Sequence, residues 1–199
     1  MNDNLDLKSI RAMVFDVDGV LSTDVMSLAS DGNPVRTVNV KDGYALQLAV
    51  KCGMKLCVIT GARVEALRLR YQSLGISDVY IASSVKIHDF EEFLSKYSLD
   101  PASVLYMGDD IPDYQVMKAC GFPCSPSDAV PEIRDISRYV TSAAGGCGCV
   151  REVVEMVLKA QDKWMADDHA FGWWFRAVKL CNWDTDWYWH RTLPVAGNC

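Results

Sequence analysis

The stretch that decides the fold is Ala12-Met13-Val14-Phe15-Asp16-Val17-Asp18-Gly19, in which four apolar residues precede two aspartates. A short, continuous apolar run is typical of a strand that a parallel sheet buries on both faces. Comparable runs precede Thr60-Gly61 and Asp109-Asp110, and amphipathic helical patterns lie between the runs. This alternation predicts an α/β fold, a doubly wound parallel sheet with helices on both faces.

Polar residues follow each predicted strand at its carboxyl end, which is where open α/β sheets bind ligands. In chain order they are Asp16 and Asp18, Thr60 and Gly61, Lys86, and Asp109 and Asp110. Carboxylates from two separate strands suit a hard cation such as Mg²⁺. A lysine and a hydroxyl beside that cation offer positive charge and a donor to phosphoryl oxygens. The joint pattern predicts a cation-assisted site for a phosphate ester.

Each of these elements alone also has a structural explanation. Asp16 and Asp18 are common turn residues, and Thr60 is a common helix cap. Lys86 alone fits a solvated side chain, and Asp109-Asp110 alone fits a helix cap before Pro112. The functional interpretation is favoured because all four elements occur in order, each after an apolar strand.

Composition excludes several other classes of protein. The 199 residues are 50% hydrophobic and 23% charged, which suits a packed domain, and the net charge of -6 disfavours a nucleic-acid coat. No apolar run is long enough for a membrane span, and the N-terminus has no signal-peptide pattern. The eight cysteines lack the paired spacing of zinc ligands. We therefore expect reduced thiols, no membrane span and a cytoplasmic protein.

Tryptophan divides the chain into two compositional units. All six tryptophans lie within residues 164–199, and none lies in residues 1–163. We therefore predict a main domain over 1–163, with a β-hairpin insertion at about 24–40, and a Trp-rich C-terminal extension over 164–199. The extension is expected to pack within an assembly of identical subunits; the alternatives are that it binds another partner or touches a membrane surface.

The motifs at the strand ends resemble those of the haloacid dehalogenase superfamily over about residues 10–160. They are Asp16-Val17-Asp18-Gly19-Val20, Thr60-Gly61, Lys86, and Gly108-Asp109-Asp110-Ile111-Pro112-Asp113. The resemblance implies a Rossmann-like core in which Asp16 is the nucleophile and Asp18 the general acid and base. It also implies that Thr60, Gly61 and Lys86 hold the phosphoryl group. An aspartate at position 18 favours a phosphatase over an ion-pumping ATPase or a dehalogenase.

The same resemblance implies a magnesium site. The ion would be held by Asp16, Asp109 and the backbone carbonyl of Asp18, with Asp110 and Asp113 behind these ligands.

Within the superfamily, further motifs resemble the capless 3-deoxy-D-manno-octulosonate 8-phosphate (KDO 8-phosphate) phosphatases. They are Val17-Asp18-Gly19-Val20-Leu21, Lys41-Asp42-Gly43-Tyr44, Leu74-Gly75-Ile76, Met107-Gly108-Asp109-Asp110 and Gly145-Gly146-x-Gly148-x-Val150-Arg151-Glu152. The resemblance implies a homotetramer in which one subunit's hairpin and C-terminal tail help to close a neighbour's site. It also implies a phosphorylated eight-carbon sugar acid on the route to lipopolysaccharide as substrate.

Two positions depart from the pattern of that family. Ala62 and Cys147 stand where the family often has arginine, so Arg63, Arg68 or Arg70 is expected to meet the substrate carboxylate. The expected reaction is Mg-dependent hydrolysis of KDO 8-phosphate through an aspartyl-phosphate. The alternatives are a nine-carbon substrate (KDN 9-phosphate or a sialic acid 9-phosphate), a broad-specificity sugar phosphatase, or a binding protein without turnover.

Overall fold

The central sheet has six parallel strands in the order β5-β4-β1-β6-β7-β8. The structure is a computed structural model, and it describes residues 7–166 and 168–172. The strands are β1 (Ala12–Phe15), β2 (Ser27–Leu28), β3 (Pro34–Val35), β4 (Lys55–Ile59), β5 (Asp78–Tyr80), β6 (Val104–Met107), β7 (Phe122–Ser125) and β8 (Tyr139–Val140). The helices are α1 (Val40–Lys51), α2 (Glu65–Ser73), α3 (Lys86–Tyr97), α4 (Tyr114–Ala119), α5 (Pro131–Ile136) and α6 (Cys149–Ala160). The predicted doubly wound α/β fold is confirmed.

Strand β1 lies at the centre of the sheet, between β4 and β6. Its side chains alternate between two cores, with Met13 and Phe15 on one face and Ala12 and Val14 on the other. The first core is formed with α1, α2 and α6, and the second with α3, α4 and α5. Burial on both faces explains why the sequence of β1 is apolar without alternation.

Strand β7 corrects one expectation from the sequence. The sequence Pro123-Cys124 predicts at best a short strand at an edge of the sheet, because proline has no backbone N–H to donate to a neighbouring strand. The structure instead places β7 between β6 and β8. The strand still pairs because its carbonyls accept: Pro123 O from the Arg138 N–H (2.9 Å) and Cys124 O from the Gly108 N–H (3.3 Å).

The predicted hairpin is present as the antiparallel pair β2–β3, and it extends away from the sheet. Its apolar side chains are exposed, with Val25 at 82%, Leu28 at 72% and Val35 at 53%. Its returning strand is held by polar contacts to the loop after β1: Ser22 Oγ accepts from the Thr37 N–H at 3.0 Å. In the single chain, the hairpin is therefore not folded onto its own sheet.

Helix α6 begins at Cys149, and the preceding N-cap residue, Gly148, has no side chain with which to cap it. The cap comes from α1, because the buried Asp42 carboxylate accepts from the Arg151 N–H at 2.8 Å. A negative charge at a helix N-terminus interacts favourably with the free N–H groups there. The contact ties together the two helices that cover one face of β1.

The start of the predicted C-terminal extension packs on the main domain. The Trp164 ring lies edge-on to Tyr44 at 6.4 Å, and the Arg151 guanidinium lies 5.3 Å from the Trp164 ring. Ala170 is buried, and its carbonyl accepts from the Tyr44 hydroxyl. Residues 173–199 of the extension lie outside the described residues.

The six cysteines of the described residues are free thiols, as expected. No helix in the described ranges has both the length and the apolar character that a membrane crossing requires.

Candidate active site

A cleft of about 430 Å³ opens at the carboxyl ends of the central strands. The predicted site residues that line it are Asp16, Asp18, Thr60, Gly61, Lys86, Asp109, Asp110 and Asp113. Asp24, Ser83, Ser84 and Pro112 complete the lining. The strand-end rule thus brings together residues that lie almost 100 positions apart in the sequence.

Lys86 forms the centre of the charged network in the cleft. Its Nζ lies 2.8 Å from Asp16 Oδ2 and 2.7 Å from Asp113 Oδ1, and all three side chains are buried. The Tyr106 hydroxyl also donates to Asp113 Oδ1, at 2.6 Å. The N–H of Asp109 donates to Asp113 Oδ2 at 3.2 Å. Asp113 therefore orients the lysine and the loop after β6 together.

Asp109 supplies an unsatisfied acceptor beside this network. Its Oδ1 is buried and has no hydrogen-bond partner among the described residues. One carboxylate oxygen from each of Asp16, Asp109 and Asp113 lies within 4.8 Å of the other two. Oxygen donors in this number and spacing fit a hard divalent cation.

The electrostatics of the cluster agree with that fit. Burial, and then the charge of Asp113, raises the pKa of Asp16 to about 7, although Lys86 acts in the opposite direction. Burial, followed by Asp16 and Asp113, raises the pKa of Asp109 to about 8. Burial opposes the charge on Lys86, but Asp16 and Asp113 outweigh it and raise the pKa of the lysine. When all three are ionised, the carboxylates carry more negative charge than one lysine neutralises, and a cation would relieve the excess.

Two glycines allow the loops of the site to approach closely. Gly19 has φ +82°, and a Cβ there would lie 1.9 Å from Asp109 Oδ2. A Cβ at Gly145 would lie 2.0 Å from the Gly19 carbonyl oxygen. The loop after β8 therefore supports the loop after β1 from behind, and the Gly146 N–H donates to Val20 O at 2.8 Å.

Thr60 follows β4, and its buried hydroxyl accepts from the Ala62 N–H at 3.1 Å. The Ser83 N–H donates to the Thr60 carbonyl at 3.0 Å, which joins the loops after β4 and β5. These contacts hold the hydroxyl of Thr60 and the exposed Gly61 at the rim of the cleft. From that position the Thr60 hydroxyl and the backbone of Gly61 can donate hydrogen bonds to an anion in the cleft.

The predicted arginines lie elsewhere. Arg63 is exposed and is not among the residues that line the cleft. Arg68 donates to Val79 O at 2.7 Å and pairs with Glu65. The Arg70 Nη2 lies 2.7 Å from where a Cβ on Gly43 would stand, and its buried Nε has no partner among the described residues.

Sequence reasoning missed Arg36, which lies on the hairpin. Its Nε donates to Asp18 Oδ1 and its Nη2 to Asp18 Oδ2, both at 2.6 Å. The Arg36 side chain is only 10% exposed. The sequence carries no signal for this contact, because an arginine in a predicted hairpin does not reveal which carboxylate it will contact.

A larger cavity, of about 740 Å³, lies along α6, far from the strand ends. Its charged side chains pair with one another, since Glu155 contacts Arg151 (3.4 Å) and Lys159 (2.7 Å). The convergent carboxylates, lysine and hydroxyl are all in the smaller cleft, which we take as the active site.

Known proteins share this fold. The chain is 36% identical over 156 residues to the 3-deoxy-D-manno-octulosonate 8-phosphate phosphatase KdsC of Escherichia coli K12, covering 78% of this chain and 83% of the relative. The Moraxella catarrhalis 3-deoxy-D-manno-octulosonate 8-phosphate phosphatase, solved with magnesium, phosphate and KDO, superposes with a TM-score of 0.76 at 33% identity, covering 80% and 91% of the two chains. A Legionella pneumophila structure described as a putative HAD superfamily (subfamily III A) hydrolase gives 0.77 at 31% identity, covering 80% and 88%. The chain matches no protein-family model.

Fold and cleft together define a phosphohydrolase of the haloacid dehalogenase superfamily. Within that superfamily, the chain belongs to the 3-deoxy-D-manno-octulosonate 8-phosphate phosphatase family.

Proposed function

We propose that this chain hydrolyses KDO 8-phosphate to KDO and phosphate in a Mg-dependent reaction. The observation that carries the proposal is the buried Lys86, which bridges Asp16 and Asp113 beside the unpaired carboxylate oxygen of Asp109. This arrangement offers a nucleophile, a cation site and a phosphate-binding lysine in one cleft. A relative of the same fold binds magnesium, phosphate and KDO.

The residues that would hold magnesium are Asp16, Asp109 and the backbone carbonyl of Asp18. The orphaned oxygen of Asp109 and the excess negative charge of the cluster support this assignment. When bound, the ion supplies positive charge to the phosphoryl oxygens. Asp113 stands behind these ligands, because both of its oxygens already accept hydrogen bonds.

The residues of the chain divide the two chemical steps between them. Asp16 attacks phosphorus, the bond from phosphorus to the sugar oxygen breaks, and Asp18 gives its proton to that leaving oxygen. Asp18 then takes a proton from water, the water oxygen attacks the aspartyl-phosphate, and phosphate and free Asp16 are formed. Lys86, Thr60 and Gly61 bind the phosphoryl oxygens throughout.

Assembly completes the proposal. The hairpin, whose Arg36 contacts Asp18 of the cleft, exposes apolar residues that water alone would cover. A homotetramer in which a neighbour covers these surfaces would enclose a small substrate. We extend the proposal to such a tetramer, and to packing of the C-terminal extension within it. A cytoplasmic location remains a prediction from the sequence.

The proposed function is tested with a panel of phosphate esters. Purified full-length chain with Mg²⁺ is expected to release phosphate from KDO 8-phosphate faster than from KDN 9-phosphate, a sialic acid 9-phosphate or unrelated sugar phosphates. Asp16→Asn is expected to abolish release, since it removes the nucleophile. A faster rate on a nine-carbon ester would make that ester, and not KDO 8-phosphate, the substrate. Similar rates on all esters would indicate a broad-specificity enzyme. Release of phosphate from none of them would refute the proposal.

A further inference from the structure

The ion pair between Arg36 and Asp18 joins the hairpin to the active site. Two charge-assisted hydrogen bonds of 2.6 Å occupy both oxygens of the Asp18 carboxylate. The Arg36 side chain is 10% exposed, whereas the Asp18 side chain is 36% exposed and lines the cleft. Arginine makes such a bidentate contact with any carboxylate of suitable position.

This inference rests on the proposed function, in which Asp18 serves the leaving oxygen of the substrate. A carboxylate with both oxygens in an arginine fork is not free to turn toward that oxygen. Arg36 therefore holds a residue of the proposed reaction from just outside the lining of the cleft.

The other basic groups near the cleft are committed or displaced. Lys86 is held by Asp16 and Asp113, and Arg68 is held by Val79 and Glu65. Arg63 and Arg70 do not line the cleft, and Arg36 likewise lies outside its lining. Among the described residues, Arg36 is the arginine that contacts a carboxylate of the cleft.

We propose that Arg36 recognises the carboxylate of the sugar-acid substrate by exchanging the Asp18 carboxylate for it. In the free chain Asp18 occupies the fork, and the substrate carboxylate replaces it with the same bidentate geometry. The exchange releases Asp18 toward the phosphate ester. A neutral sugar phosphate has no carboxylate to exchange, so Arg36 stays bound to Asp18. Acidic substrates are therefore hydrolysed faster than neutral ones.

The hairpin suits this exchange. Besides the Arg36 pair, its returning strand contacts the loop after β1 through the hydroxyl groups of Ser22 and Thr37, and the Thr23 N–H donates to the Thr37 hydroxyl. Its apolar side chains do not contribute to either core. Elements with few buried apolar contacts open at a low free-energy cost, so Arg36 can change partner without disturbing the sheet.

The test compares two classes of substrate in the same variants. Wild type, Arg36→Met and Arg36→Lys are assayed for kcat and KM on KDO 8-phosphate and on two esters without a carboxylate, D-arabinose 5-phosphate and p-nitrophenyl phosphate. Arg36→Met is expected to lower kcat/KM for KDO 8-phosphate by about 10- to 100-fold, the size of one charged hydrogen-bonded contact. Rates on the neutral esters are expected to stay the same or to rise, because Asp18 is no longer held. Arg36→Lys is expected to restore part of the loss.

Three results separate the explanations. An equal loss on all three esters would overturn the exchange, since Arg36 would then act only by positioning Asp18. No change on any ester would overturn it as well. A wild-type chain that releases no phosphate from KDO 8-phosphate would refute the proposed function itself, and the wild-type assays alone reveal this outcome. Arg11→Met is the matched control, because it removes an exposed arginine at the amino end of β1, whereas the cleft lies at the carboxyl end.

Discussion

Lys86 is almost fully buried between Asp16 and Asp113, and its charge compensates two carboxylates at contact distance. Removing such a lysine would leave two buried charges without a partner, which costs much more than the pair contributes. The nearby Asp109 lacks even this partner. The residues of the site are therefore arranged for binding a cation and a phosphate, at the expense of stability in the empty state.

Magnesium is expected to stabilise the folded chain by relieving this repulsion. At a concentration 100 times the dissociation constant, binding adds about 2.7 kcal/mol to the free energy of unfolding. Above pH 8, where Asp109 with its pKa of about 8 is ionised, Asp109→Asn removes one buried charge, so this variant is expected to be more stable than wild type in EDTA and to gain much less from Mg²⁺. Differential scanning calorimetry with and without Mg²⁺ measures both effects. Equal gains in the two proteins would contradict the assignment of Asp109 as a ligand.

Gly19→Ala is expected to reduce phosphate release by at least about 100-fold. The added methyl group would meet the Asp109 carboxylate, and the residue has a φ of +82°, which disfavours any side chain. Gly32→Ala is the matched control, because Gly32 has φ +81° in the hairpin turn but nothing described within 4 Å of its Cβ position. If both variants lost the same activity, backbone strain rather than the contact with Asp109 would be the cause.

At the scale of elements, the loop after β8 is held by one side chain of α6. The Glu152 carboxylate accepts from the Ser142 N–H (2.9 Å), the Ser142 hydroxyl (2.7 Å) and the Tyr139 hydroxyl (2.8 Å). This loop continues to Gly145, which packs against Gly19 in the active site. Helix α6 thus supports the loop after β1 through this segment.

Glu152→Gln is expected to lower the free energy of unfolding by about 1 kcal/mol at pH 7. Burial acts against ionisation, but the contacts from Ser142 and Tyr139 outweigh it and lower the pKa of Glu152 below its ordinary value of 4.5. A lowered folded-state pKa means that the stabilisation is complete above pH 4.5 and is lost as pH falls through the folded-state pKa. Urea unfolding of both proteins from pH 7 to pH 3 should show the difference shrinking.

Glu155→Gln, on the same helix but paired with the exposed Lys159, is the control and should change stability by much less. A difference for Glu152→Gln that stayed constant with pH would contradict the role of the ionised carboxylate.

How far the sequence could predict the structure depends on the range of each interaction. Apolar runs ending in polar residues are local signals, so the sheet and the gathering of Asp16, Thr60, Lys86 and Asp109 could be predicted. The fork of Arg36 on Asp18 and the Asp42 cap of α6 depend on how distant segments pack. A side chain carries no mark of such a partner, so Arg36 was not among the arginines predicted from the sequence to meet the substrate carboxylate, which were Arg63, Arg68 and Arg70.

At the scale of the whole molecule, the single chain leaves two features incomplete. The cleft is open, and the hairpin presents a row of exposed apolar side chains. Contiguous exposed apolar residues usually mark an interface between proteins. One assembly that covered the hairpin and the cleft together would explain both features.

The double variant Val25→Ser, Leu28→Ser is expected to convert the proposed tetramer to smaller species, because these side chains are 82% and 72% exposed in the single chain. Light scattering coupled to size-exclusion chromatography measures the mass. Val140→Thr, at an exposed position on β8, should leave the mass unchanged. A double variant of unchanged mass would exclude the hairpin from the interface.

The first residues of the C-terminal extension are expected to stabilise the main domain. A chain ending at Lys163 lacks the ring contacts of Trp164 and the buried Ala170, whereas a chain ending at Gly172 retains them. We expect the shorter chain to be less stable by about 2 kcal/mol, as thermal unfolding of the two truncated proteins would show. Equal stability would mean that these contacts contribute nothing.

The position of β1 between β4 and β6 has a consequence for the order in which the protein is made. Asp16 leaves the ribosome early, but the strand that carries Asp109 beside it follows only at Val104–Met107. Until that strand inserts, β1 is an apolar edge with unpaired backbone groups, which is a template for pairing with other chains. Interrupted synthesis before β6 would therefore release fragments prone to aggregate and unable to assemble the metal site.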